Sequence, residues 1–244
     1  MLIEVDGFIL NELNYGETSK IIHVITHEYG LISIMCKGAK SLKSKNRVTT
    51  LRYTYAHFNI YYKENKLSTF KCADIINPLK KIKSDIVLMS YVTYLSELTM
   101  QVLKQSDNRN IYNDFINTIL KIEEGLDPLV LTNILELKYL NELGVLFSLD
   151  KCVKCGNTKN IVTISSDSGG YICKDCLTNE VIVSPKVIKM LRMYFYVKIE
   201  EISNIKVDDN TKNTINIFLT NYYERYTGLY LKSKKFLENI VNIE

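Results

Sequence analysis

The chain has 244 residues, 46% of them hydrophobic and 24% charged, which suits a globular protein large enough for two or three folded units. No stretch approaches the ~18 unbroken apolar residues of a membrane span, and the start, MLIEVDGFILNELNYGE, carries acids where a secretory signal carries bases. The formal charge of +4 is uneven: residues 1–36 sum to −4, residues 37–83 hold twelve Lys or Arg against Glu64 and Asp74, and the remainder sums to −2.

About a fifth of the chain therefore supplies nearly all the positive field, the pattern of a polyanion-binding surface. With no export signal in its first residues the chain is expected in the reducing cytoplasm, where its six cysteines would favour metal binding over disulfides.

In chain order, IEVDGFIL, SKIIHVIT, GLISIMCKG, YTYAHFNIYYK and KLSTFKCADI read as five short strands separated by NYGET, HEYG and KEN. Five strands in about eighty residues predict an OB-fold barrel, although an SH3-like barrel shares the pattern. Cys36 and Cys72 fall within these strands and are expected as small core residues.

Between the third and fourth strands, KGAKSLKSKNR places Lys37, Lys40, Lys43, Lys45 and Arg47 among small and polar residues with no acid. It has no helical or strand period, so a mobile loop is expected, with phosphates as the natural partners of its charges. Beyond it, Arg52 extends the cationic set, and Tyr53, Tyr55, Phe58, Tyr61 and Tyr62 offer rings that could stack on bases. Half of strand residues point inward, so for any one tyrosine core packing is at least an equal expectation. A bias toward Lys, Asn and Ile throughout the chain is the competing explanation for the lysines.

After Pro78 the period becomes helical. SDIVLMSYVTYLSELTMQVLK follows Ser84 as N-cap, and NIYNDFINTILKIEEG closes at Gly125. Asp127 and Pro128 then open a third helix that is apolar nearly all round and so belongs at the centre of a bundle. SPKVIKMLRMYFYVKI and NTINIFLTNYYERY continue the helical region, which leaves residues 145–183 as an insertion.

That insertion holds Cys152 and Cys155, then Cys173 and Cys176, two C-x-x-C pairs with seventeen residues between. Each pair makes a knuckle that aims two thiolates at one ion, and NIVTISSDSGGYI reads as a hairpin that brings the knuckles together. One Zn2+ is the expected occupant, with a redox dithiol or an iron–sulfur site as the alternatives. Four thiolates leave no open position for catalysis, so the ion is expected to be structural. Lys151, Lys154, Lys159 and Lys174 around it suit solubility as well as phosphate contact. No P-loop, dinucleotide fingerprint, zinc-hydrolase motif or nucleophilic triad appears, and nothing argues for an enzyme or a small-molecule substrate.

The order of these pieces resembles the bacterial recombination mediator family RecO. The resemblance rests on DGFILNELNYGETSKIIHVITHEYG, KGAKSLKSKNR, INPL, YLSEL, LELKYLNELGV and CVKC…CKDC, from about residue 5 to residue 183. It implies an α+β multidomain protein: an OB-fold over 1–80, a helical domain over 81–147 and 184–244, and a zinc-binding module over 148–183. It further implies a non-catalytic, cytoplasmic and nucleoid-associated protein. Such a protein binds single- and double-stranded DNA, anneals strands, contacts SSB and, with RecR, helps load RecA, with no membrane partner. The family's basic loop falls on Lys37, Lys40, Lys43, Lys45 and Arg47, and its metal ligands on Cys152, Cys155, Cys173 and Cys176. The loop is Lys-rich where relatives often carry Arg, which keeps phosphate tracking but loses the planar fork. An RNA-binding OB module and a protein-interaction adaptor remain the rival readings.

Overall fold

Ile3, Val5 and Ile9 alternate with Glu4, Asp6 and Phe8, and the computed structural model, which describes residues 1–106 and 108–241, turns the first set inward. Gly7 shares their side of the strand, where a Cβ would stand only 2.5 Å from Val24 Cγ1. Glycine thus permits the close approach of the neighbouring strand. The strands are β1 (Leu2–Tyr15), β2 (Ser19–Thr26), β3 (Gly30–Cys36), β4 (Tyr55–Tyr61) and β5 (Ser68–Asn77). They close in the order β1-β2-β3-β5-β4, with β4 returning to β1 and only the β3–β5 pair parallel. This is the five-stranded OB barrel, filled by Ile22, Val24, Ile34, Phe58 and Ile60 among others.

Three local expectations are corrected. The fourth strand begins at Tyr55, because Tyr53 takes a left-handed φ of 62° that no strand accommodates. Cys72 is exposed: a register shift opposite Asn59 and Ile60 puts Lys71 and Cys72 both outside while Phe70 and Ala73 pack on the core. Cys36 is buried as expected, and burial pushes its thiol up to about 12.

The third correction concerns the helical start. Asp85, not Ser84, caps α2 (Ile86–Val102), its carboxylate accepting from the amides of Val87 (2.8 Å) and Leu88 (3.1 Å). Ser84 ends a short preceding helix, α1 (Lys80–Ser84), and its hydroxyl donates back to the Lys81 carbonyl. Helix α3 (Asn110–Glu124) brings Phe115 edge-on to Phe8 at 5.1 Å, so β1 is buried on its outer side as well.

The chain clusters into two units, one of residues 1–123 with the segment from Ser233 onward, the other of residues 124–232. In the second, α4 (Pro128–Glu142) is buried over most of its circumference, as its composition requires. Helices α5 (Pro185–Tyr196) and α6 (Asp209–Tyr226) pack on it, and Tyr223 Oη donates to the Glu136 carbonyl at 2.7 Å. The last helix, α7 (Lys232–Val241), is anchored in the first unit by Ser233, whose amide donates to Glu97 of α2 at 2.8 Å. Among the described residues no helix is long and apolar enough to cross a membrane.

Candidate nucleic-acid interface and metal centre

The segment from Lys37 to Thr54 forms neither helix nor strand, in keeping with its lack of period, yet it is folded. Successive turns close through Ser41 N to Gly38 O (3.2 Å), Ser44 N to Ser41 O (3.0 Å) and Arg47 N to Ser44 O (3.2 Å). Ala39 plugs into the barrel core and Thr50 is buried, which pins the two ends and leaves the cations outside. Lys37, Lys40, Lys43, Lys45 and Arg47 are all exposed. Among the described residues no carboxylate lies within ion-pair distance of any of the five; Glu12, near the root of the loop, is held by the buried Lys20 at 2.8 Å. Such a cluster carries uncompensated charge into solvent, where counterions or phosphates answer it.

Arg52 is placed differently. Its Nε donates to the Leu10 carbonyl at 3.2 Å and its guanidinium lies 4.8 Å over the Tyr53 ring. It is half-buried, and part of its function is to tie the loop's end to β1.

In the second unit, β6 (Ile161–Ser165) and β7 (Gly170–Cys173) form the expected hairpin. Gly156 N donates to Cys152 O and Cys152 N to Asn157 O, both at 2.8 Å, making the first knuckle. Val153 N donates to Tyr171 O (2.9 Å) and Lys174 N to Asn160 O (2.9 Å), which fastens both knuckles to the hairpin. The four Sγ atoms of Cys152, Cys155, Cys173 and Cys176 then lie within 4.8 Å of one another, with Cys155 and Cys173 at 3.6 Å. A tetrahedral ion with metal–sulfur bonds of about 2.3 Å needs sulfur–sulfur edges of roughly 3.8 Å, so the cluster fits one.

The thiols do not ionise alike. Burial opposes charge on Cys152, but backbone amides at Cys173, Cys155 and Lys154 outweigh it and bring the thiol down to about 6. The neighbouring sulfurs of Cys155 and Cys173 push Cys176 up to about 12. Lys154 is not a free cation: it bridges to Glu180 (2.8 Å) and donates to the Cys176 carbonyl (3.2 Å), strapping the module shut. Sequence reading missed this strap, because Glu180 stands in the unpatterned stretch after the second knuckle.

The family profile described as Recombination protein O N terminal matches residues 1–79, and that described as Recombination protein O C terminal matches residues 83–235. Similar curated proteins include a DNA repair protein RecO of Halalkalibacterium halodurans, 33% identical over 98% of this chain and 96% of that one. Another DNA repair protein RecO, from Listeria monocytogenes, is 32% identical over 96% and 93%, and one from Bacillus pumilus is 30% identical over 100% and 96%. The chain belongs to the RecO family.

In this RecO barrel the aromatic set largely serves the fold. Phe58 is core, Tyr53 is buried, Tyr55 is half-buried and Tyr62 packs on Tyr29 at 4.6 Å. Only Tyr61 of the five, 49% exposed, has a ring open to a ligand. The first half of β1 bears the opposite sign from the loop. Glu4 and Asp6 flank His57 of β4 at 3.6 and 2.6 Å, and the hydrogen bond that its ring donates to Asp6 raises the imidazole above its ordinary value. The barrel is thus electrically polar, with an acidic strand pair and a basic loop.

Proposed function

We propose that this RecO-family chain is a non-catalytic DNA-binding mediator of recombinational repair, acting in the cytoplasm at the nucleoid. The observation that carries the reading is the loop of five exposed cations without acidic partners on a closed OB barrel. Lys37, Lys40, Lys43, Lys45 and Arg47 track phosphates, which explains binding to single and double strands alike without sequence preference. Arg52 adds charge at the loop's end while holding its shape. Annealing follows when one basic surface neutralises two complementary strands and lowers their repulsion. Cooperation with RecR and SSB in loading RecA is the family role that this binding serves. The four cysteines hold one structural Zn2+, which supplies folding energy to a module whose two-stranded hairpin is marginal alone. The chain divides by role into 1–80 for DNA, 81–147 and 184–244 for the helical scaffold, and 148–183 for zinc.

Fluorescence anisotropy of a labelled single strand across a salt series tests the reading. Five neutralised phosphates give a log–log slope contribution of roughly −3.5 on single strands, equivalent to about 100-fold in affinity between 50 and 200 mM salt. Neutral replacements at the five loop positions should flatten the slope by that amount and slow annealing in parallel. An unchanged slope would remove the loop from the interface. A tighter grip on matched RNA than on DNA would move the chain to the RNA-binding reading.

A further inference from the structure

The end of the basic loop leads, side chain by side chain, to a second group of cations at the far end of the sequence. The Arg52 guanidinium covers the Tyr53 ring at 4.8 Å. The Tyr53 hydroxyl is buried without a hydrogen-bond partner, on the side of Thr93 of α2 and within electrostatic reach of Glu97. Glu97 accepts from both the amide and the hydroxyl of Ser233, and one turn back on α2 the Tyr94 ring carries Lys234 Nζ at 4.7 Å. Arg52, through Tyr53, and the start of α7, through Ser233 and Lys234, thus both face helix α2.

The first four positions of α7 read Lys232, Ser233, Lys234, Lys235. Lys232 and Lys235 are exposed, and among the described residues neither has a carboxylate within ion-pair distance, not even Glu238 one turn on from Lys235. From 227 to 241 Glu238 is the single acid. Stability accounts for Lys234, seated over Tyr94, but not for Lys232 and Lys235. The amino-terminal end of a helix is its positive pole, so lysines in the first turn oppose the dipole and acids would favour it. The helix is instead secured by other means: buried Leu237, and the Glu97 carboxylate on the Ser233 amide and hydroxyl. Phe236, 43% exposed, stands four residues after Lys232 on the same face, an apolar surface beside the charges.

We infer that Lys232, Lys234 and Lys235 form a second phosphate-binding patch that carries a nucleic-acid strand from the barrel loop, past Arg52, onto α7. The inference rests on the DNA-binding reading of the barrel and extends it. The partner is the backbone of a single strand: an array of negative charges matches cations at two stations, and the acid between them, Glu97, is occupied by Ser233. Lys234 contributes through its place over Tyr94, which fixes the direction of its charge.

The test uses the full chain and the same labelled strand of about 30 nucleotides. Replacing Lys232, Lys234 and Lys235 with Gln removes up to three phosphate contacts. The slope should fall by roughly 2, with affinity at 0.1 M salt down by about 100-fold. A second variant, Lys232→Glu with Lys235→Glu, separates binding from packing. It should weaken binding further while leaving the melting temperature equal or higher, because acids suit that end of the helix. A wild-type slope in both variants overturns the inference and leaves the barrel reading intact. Weak binding accompanied by a lower melting temperature in the Glu variant overturns it too, since the lysines would then serve the fold. If the wild type itself does not bind the strand at low salt, the barrel reading fails and this patch falls with it.

Discussion

Asp127 offers the sharpest measurement of what holds the central helix. Its Oδ1 accepts from the amides of Leu129 (2.9 Å) and Val130 (3.2 Å), and its Oδ2 accepts from Lys212 Nζ of α6 at 2.7 Å. The cap is worth about 1 kcal/mol, within a range of roughly 0.5–2. The ion pair, with side chains 28% and 19% exposed, is neither a surface pair nor a buried one and contributes about 1 kcal/mol. A carboxylate at the helix start adds about 0.5 kcal/mol through the dipole. Asp127→Ala should therefore cost about 2.5 kcal/mol, and Asp127→Asn, which keeps a capping oxygen, about 1.5. Lys212→Met should cost about 1.

Because two units need not unfold together, amide exchange at Leu129 and Val130 during urea titration isolates the relevant transition. The hydrogen bond that Lys212 donates to Asp127, more than the burial that opposes it, raises the lysine above its ordinary value. A raised lysine stabilises the fold fully below its unfolded value of about 10.4, and that stability is lost as pH climbs through the folded value. The gap between wild type and Asp127→Asn should thus hold steady from pH 6 to 9 and narrow above roughly 10.5. An Asn variant that falls as far as the Ala variant would refute the capping argument. A gap that already closes below pH 9 would refute the pairing argument.

Two further outcomes are expected. The purified chain should take up one equivalent of Co2+ with the visible absorption of tetrahedral thiolate coordination. Cys155→Ser should abolish it and open the β6–β7 hairpin to amide exchange, with barrel amides unaffected; an intact spectrum would mean the four sulfurs do not share an ion. His57 should titrate above 6.5 by NMR, and Asp6→Asn should lower it. The stability difference between the two proteins should be present at acid pH and fade as pH rises through the raised value, and a difference that grows instead would show the pair to be mis-assigned.

Some of these features were readable along one dimension because their physics is local. A 2-residue alternation marks a half-buried strand, Asp127–Pro128 marks a helix start, and C-x-x-C marks a knuckle, each within a span that one turn or strand covers. The basic loop was readable for the same reason: charge without period and without acids predicts an exposed segment wherever the fold puts it. Local reading failed where a choice depended on neighbours. Ser84 and Asp85 are adjacent capping residues, and only the short α1 helix, which uses Ser84 as its end, awards the cap to Asp85. Cys72 follows the strand alternation until a bulge against β4 moves it outward.

Residue kind and spacing alone set the barrel's strands, the charge of its loop and the pairing of cysteines that cluster beside the β6–β7 hairpin, since each depends on near neighbours in the chain. Tertiary structure alone decided that the tyrosines are mostly core, that Arg52 braces the loop, that Lys154 straps the knuckles through Glu180, and that α7 returns from the chain's end to lie beside Tyr94 and Glu97. Those are contacts between residues up to 136 positions apart. No local period encodes them; they exist only once burial of apolar faces has chosen which elements pack together.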